Sequence, residues 1–187
     1  MRRPTGTMSE TIPMRVASLA VDPLTTLPVV ILEDDAGVAT VCIRVGAGDA
    51  SAIAAELDRI ELVRPMTHQL MGDILAGAGV RVVSVVIDEV EEGSFFGVLH
   101  FELPSGERLT KEARSSDALA LALHADAELR VARVVVERAS HGAIPRAARA
   151  DTTALARRAA FDVSPAVEDR PGAREVAGDK LRGKWKM

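Results

Sequence analysis

"VRVVSVVIDEVEEGSFFGVLHFEL" (80–103) is the stretch whose reading decides the fold. Two β-rich runs, 80–92 and 94–103, meet at Glu92-Gly93, a turn signal between long apolar segments. In the second run Phe95, Gly97, Leu99, Phe101 and Leu103 alternate onto one face. A period of two is the mark of a half-buried strand. The pair therefore predicts a long antiparallel hairpin at the centre of a sheet-containing domain. "VVSVVID" (82–88) and "SFFGVLHFE" (94–102) carry few charges, and an apolar strand left at an edge invites pairing with another chain. A two-fold homodimer is the expected assembly.

Working outward from this hairpin, "GERLTKEA" (106–113) reads as a third strand of the meander. The period then switches. "SSDALALALHAD" (115–126) predicts a helix capped by Ser115 or Ser116, and "LRVARVVVE" (129–137) a last strand. Upstream, "MRVASLAVD" (14–22), "PVVILED" (28–34) and "VATVCIRVG" (38–46) read as strands, with "DDAG" (34–37) as a tight connection. "DASAIAAELDRI" (49–60) follows, with Ala50, Ile53, Ala54 and Leu57 at helical spacing and Asp49 placed to cap the first turn. "THQLMGDILAGAG" (67–79) is a second helix, with Leu70, Met71, Ile74, Leu75 and Ala78 as its apolar face and Gly77 and Gly79 ending it. Blocks of strands with interspersed helices argue for an α+β class rather than strict βαβ alternation. The expectation is a single compact domain with a mixed or antiparallel sheet and about three helices. A flexible N-terminus (1–13) precedes it, the domain spans 14–140, and a basic extension (141–187) follows, with one helix over 148–161 and a disordered end.

Composition bounds the function. The 187 residues are 48% hydrophobic, enough for one well-buried core, but there is no tyrosine, so Val, Leu, Ile and Ala must build it. The single cysteine, Cys42, cannot form an internal disulfide and reads as a small buried hydrophobe in a reducing compartment. No apolar run is long enough to span a bilayer, and "MRRPTGTMSE" (1–10) has no apolar segment behind its arginines. A cytoplasmic location is expected, with Met8 and Met14 as alternative starts. Charge is uneven. Residues 1–137 hold 12 Lys+Arg against 21 Asp+Glu, a balance of −9, and residues 138–187 hold 11 against 6, a balance of +5. The basic end is either a solvated extension or an electrostatic arm for a polyanion such as DNA or RNA.

Two polar clusters stand at helix starts. In "RPMTHQL" (64–70), His68 lies in the first turn of its helix, where the helix dipole favours a neutral imidazole that can act as a general base. Arg64, just ahead, is free to meet a phosphate or carboxylate. In "ARSSD" (113–117), Arg114, Ser115, Ser116 and Asp117 mark a strand-to-helix junction. On the residues alone both clusters read first as polar helix starts, with a functional site as the other reading. The glycines of "VGAGDASAI" (45–53) suit a tight turn better than a phosphate loop, since no Lys-Ser/Thr follows and Asp49 repels an anion. His100, His124 and His141 fall in a strand, at a helix end and in the extension. There is no HxH, HExxH or CxxC spacing for zinc and no G-x-S-x-G elbow for a serine hydrolase.

The order "VVILED … IRVGAGDASAIAAEL … RPMTHQLMGDIL … VVIDEVEEGSFFGVLHFEL … ARSSDALALAL" resembles the bifunctional nuclease domain family, from about Met14 to about Val136. Its most specific parts are "RPMTH", "GSFF" and "ARSSDALALAL". The resemblance implies a small α+β domain that associates as a dimer and cleaves DNA and RNA. It carries over Arg64, Thr67, His68, Arg114, Ser116 and Asp117 as the site residues. By this resemblance His68 would be the general acid or base, Arg64 and Arg114 would neutralise the phosphate, and Asp117 would orient the imidazole or hold a divalent cation such as Mg²⁺. The chain departs from the family in three places. Gln69 stands where an acid is usual after the histidine, Ser94 where a threonine is usual, and Ser115 where a proline is usual. If that acid serves the family as a metal ligand or proton partner, this chain lacks it. The alternative reading is a non-enzymatic dimeric module that binds a protein or an anion through the same residues. If the site is real, "RPMTH" and "ARSSD" must approach each other in space.

Overall fold

The computed structural model describes residues 10–91 and 94–139. In chain order the elements are β1 (Thr11–Pro13), β2 (Arg15–Val21), β3 (Pro28–Glu33), β4 (Thr40–Arg44), α1 (Ala47–Leu57) and α2 (Thr67–Gly77). Then come β5 (Arg81–Glu91), β6 (Ser94–Glu102), β7 (Arg108–Arg114), α3 (Ser115–His124), β8 (Glu128–Ala132) and α4 (Arg133–Ala139). The class is α+β, as expected. The strands divide into a mixed sheet of order β1-β8-β5-β6-β7 and an antiparallel sheet of order β2-β3-β4.

The long hairpin forms as its alternation predicts. β5 and β6 pair antiparallel from Arg81↔Glu102 to Glu91↔Ser94, and Leu99, Phe101, Val85 and Ile87 are buried. The expected turn at Glu92-Gly93 lies outside the described residues, as do the expected 148–161 helix and His141. Gly97 lets α3 lie close on this sheet: a Cβ there would sit 2.9 Å from Ala118 Cβ. α3 is buried from Ser115 to Ala122, apart from Asp117, and is the hub on which α1, α2 and the five-stranded sheet pack. The crossover through α3 makes β8 parallel to β5, which renders the sheet mixed. In the smaller sheet, the Asp34 carboxylate closes the "DDAG" turn by accepting the Val38 and Ala39 N–H groups at 2.7 and 2.9 Å, with Gly37 at φ +68°.

Several expectations are corrected. The run 129–137 is not one strand. It breaks at Arg133, whose N–H binds the Glu10 carbonyl at 2.8 Å, and the remainder turns into a fourth helix that buries Val135 and Val136. β-branched residues prefer strands only weakly, and burial of one helical face overrides that preference. Thr11–Pro13, expected to be flexible, pairs with β8. β5 and β6 are interior strands, so the edge argument for dimerisation falls away: the edges are β1, ending in Pro13, and the charged β7. Cys42 is only half-buried, because Val41 and Ile43 take the inward face of β4. The face of α2 expected to pack inward is mostly open, with Leu70, Met71 and Ile74 exposed and Gly72 its only buried residue. The helix stops as predicted, with Gly79 at φ +72° and the Gly79 and Val80 N–H groups bonded back to Ala76 and Leu75. No helix among the described residues is long and apolar enough to cross a membrane.

Candidate functional site

Three helix starts supply the site. β4 leads through Val45 to Gly46, the N-cap of α1, and Asp49 falls in the first turn. Asp49 does not cap that helix, contrary to expectation. α2 begins after Met66 in extended backbone, and the Gln69 side-chain oxygen accepts the Met66 N–H at 2.9 Å. The residue that replaces the usual acid thus stabilises the start of the helix that carries His68. β7 runs straight into α3 with Arg114 as the N-cap residue, so Ser115 and Ser116 are buried in the first turn rather than capping it.

The two polar clusters converge. His68 Nε2 lies 3.0 Å from Asp117 Oδ1. Arg114 grips the same carboxylate with both arms, Nε to Oδ2 at 2.7 Å and Nη2 to Oδ1 at 2.6 Å. Its Nη1 also reaches Asp49 Oδ2 at 3.7 Å. Burial is graded: the side chains of His68 and Asp49 are 14% and 20% exposed, that of Asp117 33%, and that of Arg114 69%. The Arg114 guanidinium holds the Asp117 carboxyl below the usual carboxylate range. Partial burial opposes this, and the bond to His68 adds to it. Arg114 is in turn held more firmly in its charged form by Asp117, then by Asp49. Donor atoms of Asp49, His68 and Asp117 all lie within 4.8 Å of one another, a spacing that could hold a metal ion.

Of the six residues expected at the site, His68, Arg114 and Asp117 form this cluster. Thr67 is exposed at the first position of α2, and Ser116 is buried at the second position of α3. Arg64 is exposed on the approach to α2 and forms no hydrogen bond or ion pair among the described residues. Asp49 was missed. An acid just after the start of a helix reads as a dipole partner, and nothing local shows that it faces a second helix start. His124 proved to be part of a separate tie. Its Nδ1 meets Glu56 Oε1 at 3.0 Å and its Nε2 meets Asp73 Oδ1 at 3.4 Å, joining α3 to α1 and α2.

Two proteins of Mycobacterium tuberculosis, uncharacterized protein MT1877 (strain CDC 1551 / Oshkosh) and uncharacterized protein Rv1829 (strain ATCC 25618 / H37Rv), are each similar to this chain. Each is 32% identical over 126 residues, 67% of this chain and 74% of the relative. Residues 30–143, which contain all three helix starts of the cluster, match the model of the bifunctional nuclease domain. On that match and that geometry, the chain belongs to the bifunctional nuclease domain family.

Proposed function

We propose that this protein hydrolyses phosphodiester bonds of DNA and RNA at the His68–Asp117–Arg114 cluster. The observation that carries the reading is the chain of contacts from imidazole to carboxylate to guanidinium, 3.0 Å and then 2.6–2.7 Å. With Nε2–H directed at Asp117, the other ring nitrogen of His68 is left as the acceptor for a proton from attacking water. Asp117 fixes the tautomer and balances the charge that forms on the ring, the division of labour known from hydrolytic triads. Arg114, mostly exposed, and Arg64, without a partner among the described residues, are the cations for the phosphate as charge builds in the transition state. A homodimer, a cytoplasmic location and a basic extension that draws in the polyanion belong to the same proposal. For the dimer, the exposed apolar side chains on offer are Leu70, Met71 and Ile74 rather than a strand edge.

The test is purified full-length protein with labelled single-stranded DNA and RNA, with Mg²⁺ and with chelator, beside His68→Ala. Cleavage by wild type that falls at least a hundredfold in the variant, the low end for a lost general base, supports the reading. Retention of oligonucleotide without cleavage replaces it with the anion-binding module. Cleavage that survives His68→Ala removes His68 from the chemistry.

A further inference from the structure

We propose that Asp49, His68 and Asp117 form a binding site for a divalent transition-metal ion, with Zn²⁺ the best match, and that Arg114 is the built-in cation this ion displaces. The donor set is one imidazole nitrogen and two carboxylates, each from the first turn of a different helix. Mixed imidazole and carboxylate sets suit zinc, and three protein donors with one open position are its usual reactive arrangement. Bonds of about 2.0–2.1 Å in a tetrahedron put donor atoms roughly 3.3 Å apart. The His68–Asp117 edge, at 3.0 Å, is already near that length, and the donors of all three residues lie within 4.8 Å of one another. Asp49 must draw in by up to about 1.5 Å on the same tetrahedral estimate. What stands in its way is the guanidinium, 3.7 Å from Asp49 and bonded to Asp117. Arg114 is 69% exposed, so it can leave by rotating into solvent without uncovering the core.

The second histidine cluster shows what such a site is not. At His124 the two carboxylates meet different ring nitrogens, Glu56 at Nδ1 and Asp73 at Nε2, so they do not converge with one imidazole nitrogen on a common point. His68 uses one nitrogen on one carboxylate, and the second carboxylate, Asp49, faces the pair from α1. The inference rests on the phosphodiesterase reading only for its consequence. An imidazole bound to an ion cannot accept a proton, so the loaded protein holds nucleic acid through the freed Arg114 but does not cleave it. Zn²⁺ is then an inhibitor of the reaction, whereas Mg²⁺, which seeks oxygen ligands and keeps its waters, leaves His68 free.

The experiment is calorimetric titration of Zn²⁺ into tag-free, full-length protein: wild type, Asp49→Asn, His68→Gln, Arg114→Gln and His124→Gln, each checked for folding by circular dichroism. The expected result is one site in wild type and in His124→Gln. Binding should be at least tenfold weaker in Asp49→Asn and His68→Gln and about tenfold tighter in Arg114→Gln, the size of one exposed ion pair and its hydrogen bonds. An Arg114 that merely props Asp117 in place gives weaker binding in Arg114→Gln, which overturns the proposal. So does an absence of saturable binding in both wild type and Arg114→Gln, or binding that survives loss of Asp49 and of His68. Should Asp49→Asn fail to fold, Asp49→Ser and the α2 variant His68→Gln carry the same decision. Binding without any cleavage in chelator keeps this inference and sinks the phosphodiesterase reading. Cleavage without Zn²⁺ binding does the reverse.

Discussion

Replacing Gly72 by alanine should destabilise the protein, although Gly72 lies inside a helix where alanine is the better helix former. In an open helix interior the change stabilises by about 1 kcal/mol. Here the new Cβ would fall 2.1 Å from Cδ2 and 2.8 Å from Nε2 of the His124 ring. Carbon atoms pack at about 3.5–4.0 Å, so the ring or the helix must move by roughly 1.5 Å on that spacing. A loose surface ring would yield cheaply. This one is held by Glu56 at 3.0 Å and Asp73 at 3.4 Å, and its side chain is only 22% exposed. Breaking one such bond costs about 1 kcal/mol, and crowding a packed site costs about 1–3 kcal/mol. Against the helix-propensity gain, the net loss is about 1–3 kcal/mol.

Gly77 is the internal control. It lies in the same helix, and a Cβ there meets nothing within 4 Å, so Gly77→Ala should stabilise by up to about 1 kcal/mol. The assay is urea unfolding followed by far-UV circular dichroism, because there is no tyrosine and the one tryptophan, Trp185, lies in the C-terminal extension. A double variant, Gly72→Ala with His124→Ala, should recover part of the loss, since the clash then has no partner. Equal stabilisation by Gly72→Ala and Gly77→Ala would refute the reasoning, because it would mean that the His124 ring is not pinned and that α2 is not held through it.

Gly97→Ala should cost about 1–3 kcal/mol in a denaturant titration, since its Cβ would press on Ala118 Cβ at 2.9 Å and Ile87 Cδ1 at 3.4 Å, and overpacking carries that cost. Asp22 takes the Leu24 N–H at 2.9 Å, and that bond, with help from Thr25 and Arg44, holds its carboxyl below the usual range. A lowered folded-state pKa gives stability that is present above the unfolded value and lost as pH falls through the folded one. Asp22→Asn should therefore flatten the acid limb of a stability–pH profile below about pH 4, the ordinary carboxylate range, and an unchanged limb would refute this. Arg64→Ala should leave unfolding free energy within about 0.5 kcal/mol of wild type while weakening oligonucleotide retention in a filter-binding assay.

What could be read in the sequence was whatever local pattern controls. Period-two alternation in 80–103 gave the hairpin, glycine chemistry gave the end of α2 at Gly79, and the polar helix starts pointed to His68, Arg114 and Asp117. What could not be read depended on distant packing. The run around Val134–Val136 has strand-like composition, and only its docking beside β5 and β4 makes a helix the better burial. α2 looks like a core helix by spacing, yet Leu70, Met71 and Ile74 are exposed, and its inward contacts are made at Gly72, which lies against the His124 ring, and at Leu75, which packs on the core. Asp49 is invisible locally, because the groups it faces lie 19 and more residues away, at His68, Arg114 and Asp117.

The acidic body poses a physical condition for any anionic substrate, and the site meets it locally. At physiological salt the screening length is about 8 Å, so most of the −9 balance of residues 1–137 is muted at the cluster. What a phosphate meets there is the near set: two carboxylates, the Arg114 guanidinium and the starts of three helices. Each helix start presents about half a positive charge in its free N–H groups. Three of them together, with Arg114, slightly outweigh Asp49 and Asp117, and Arg64 on the approach to α2 tips the balance further. Spreading the carboxylates over separate helix starts thus leaves the local balance slightly positive on this estimate. The same two carboxylates placed together on one helix would keep their mutual repulsion and lose one of the three dipoles that offset it.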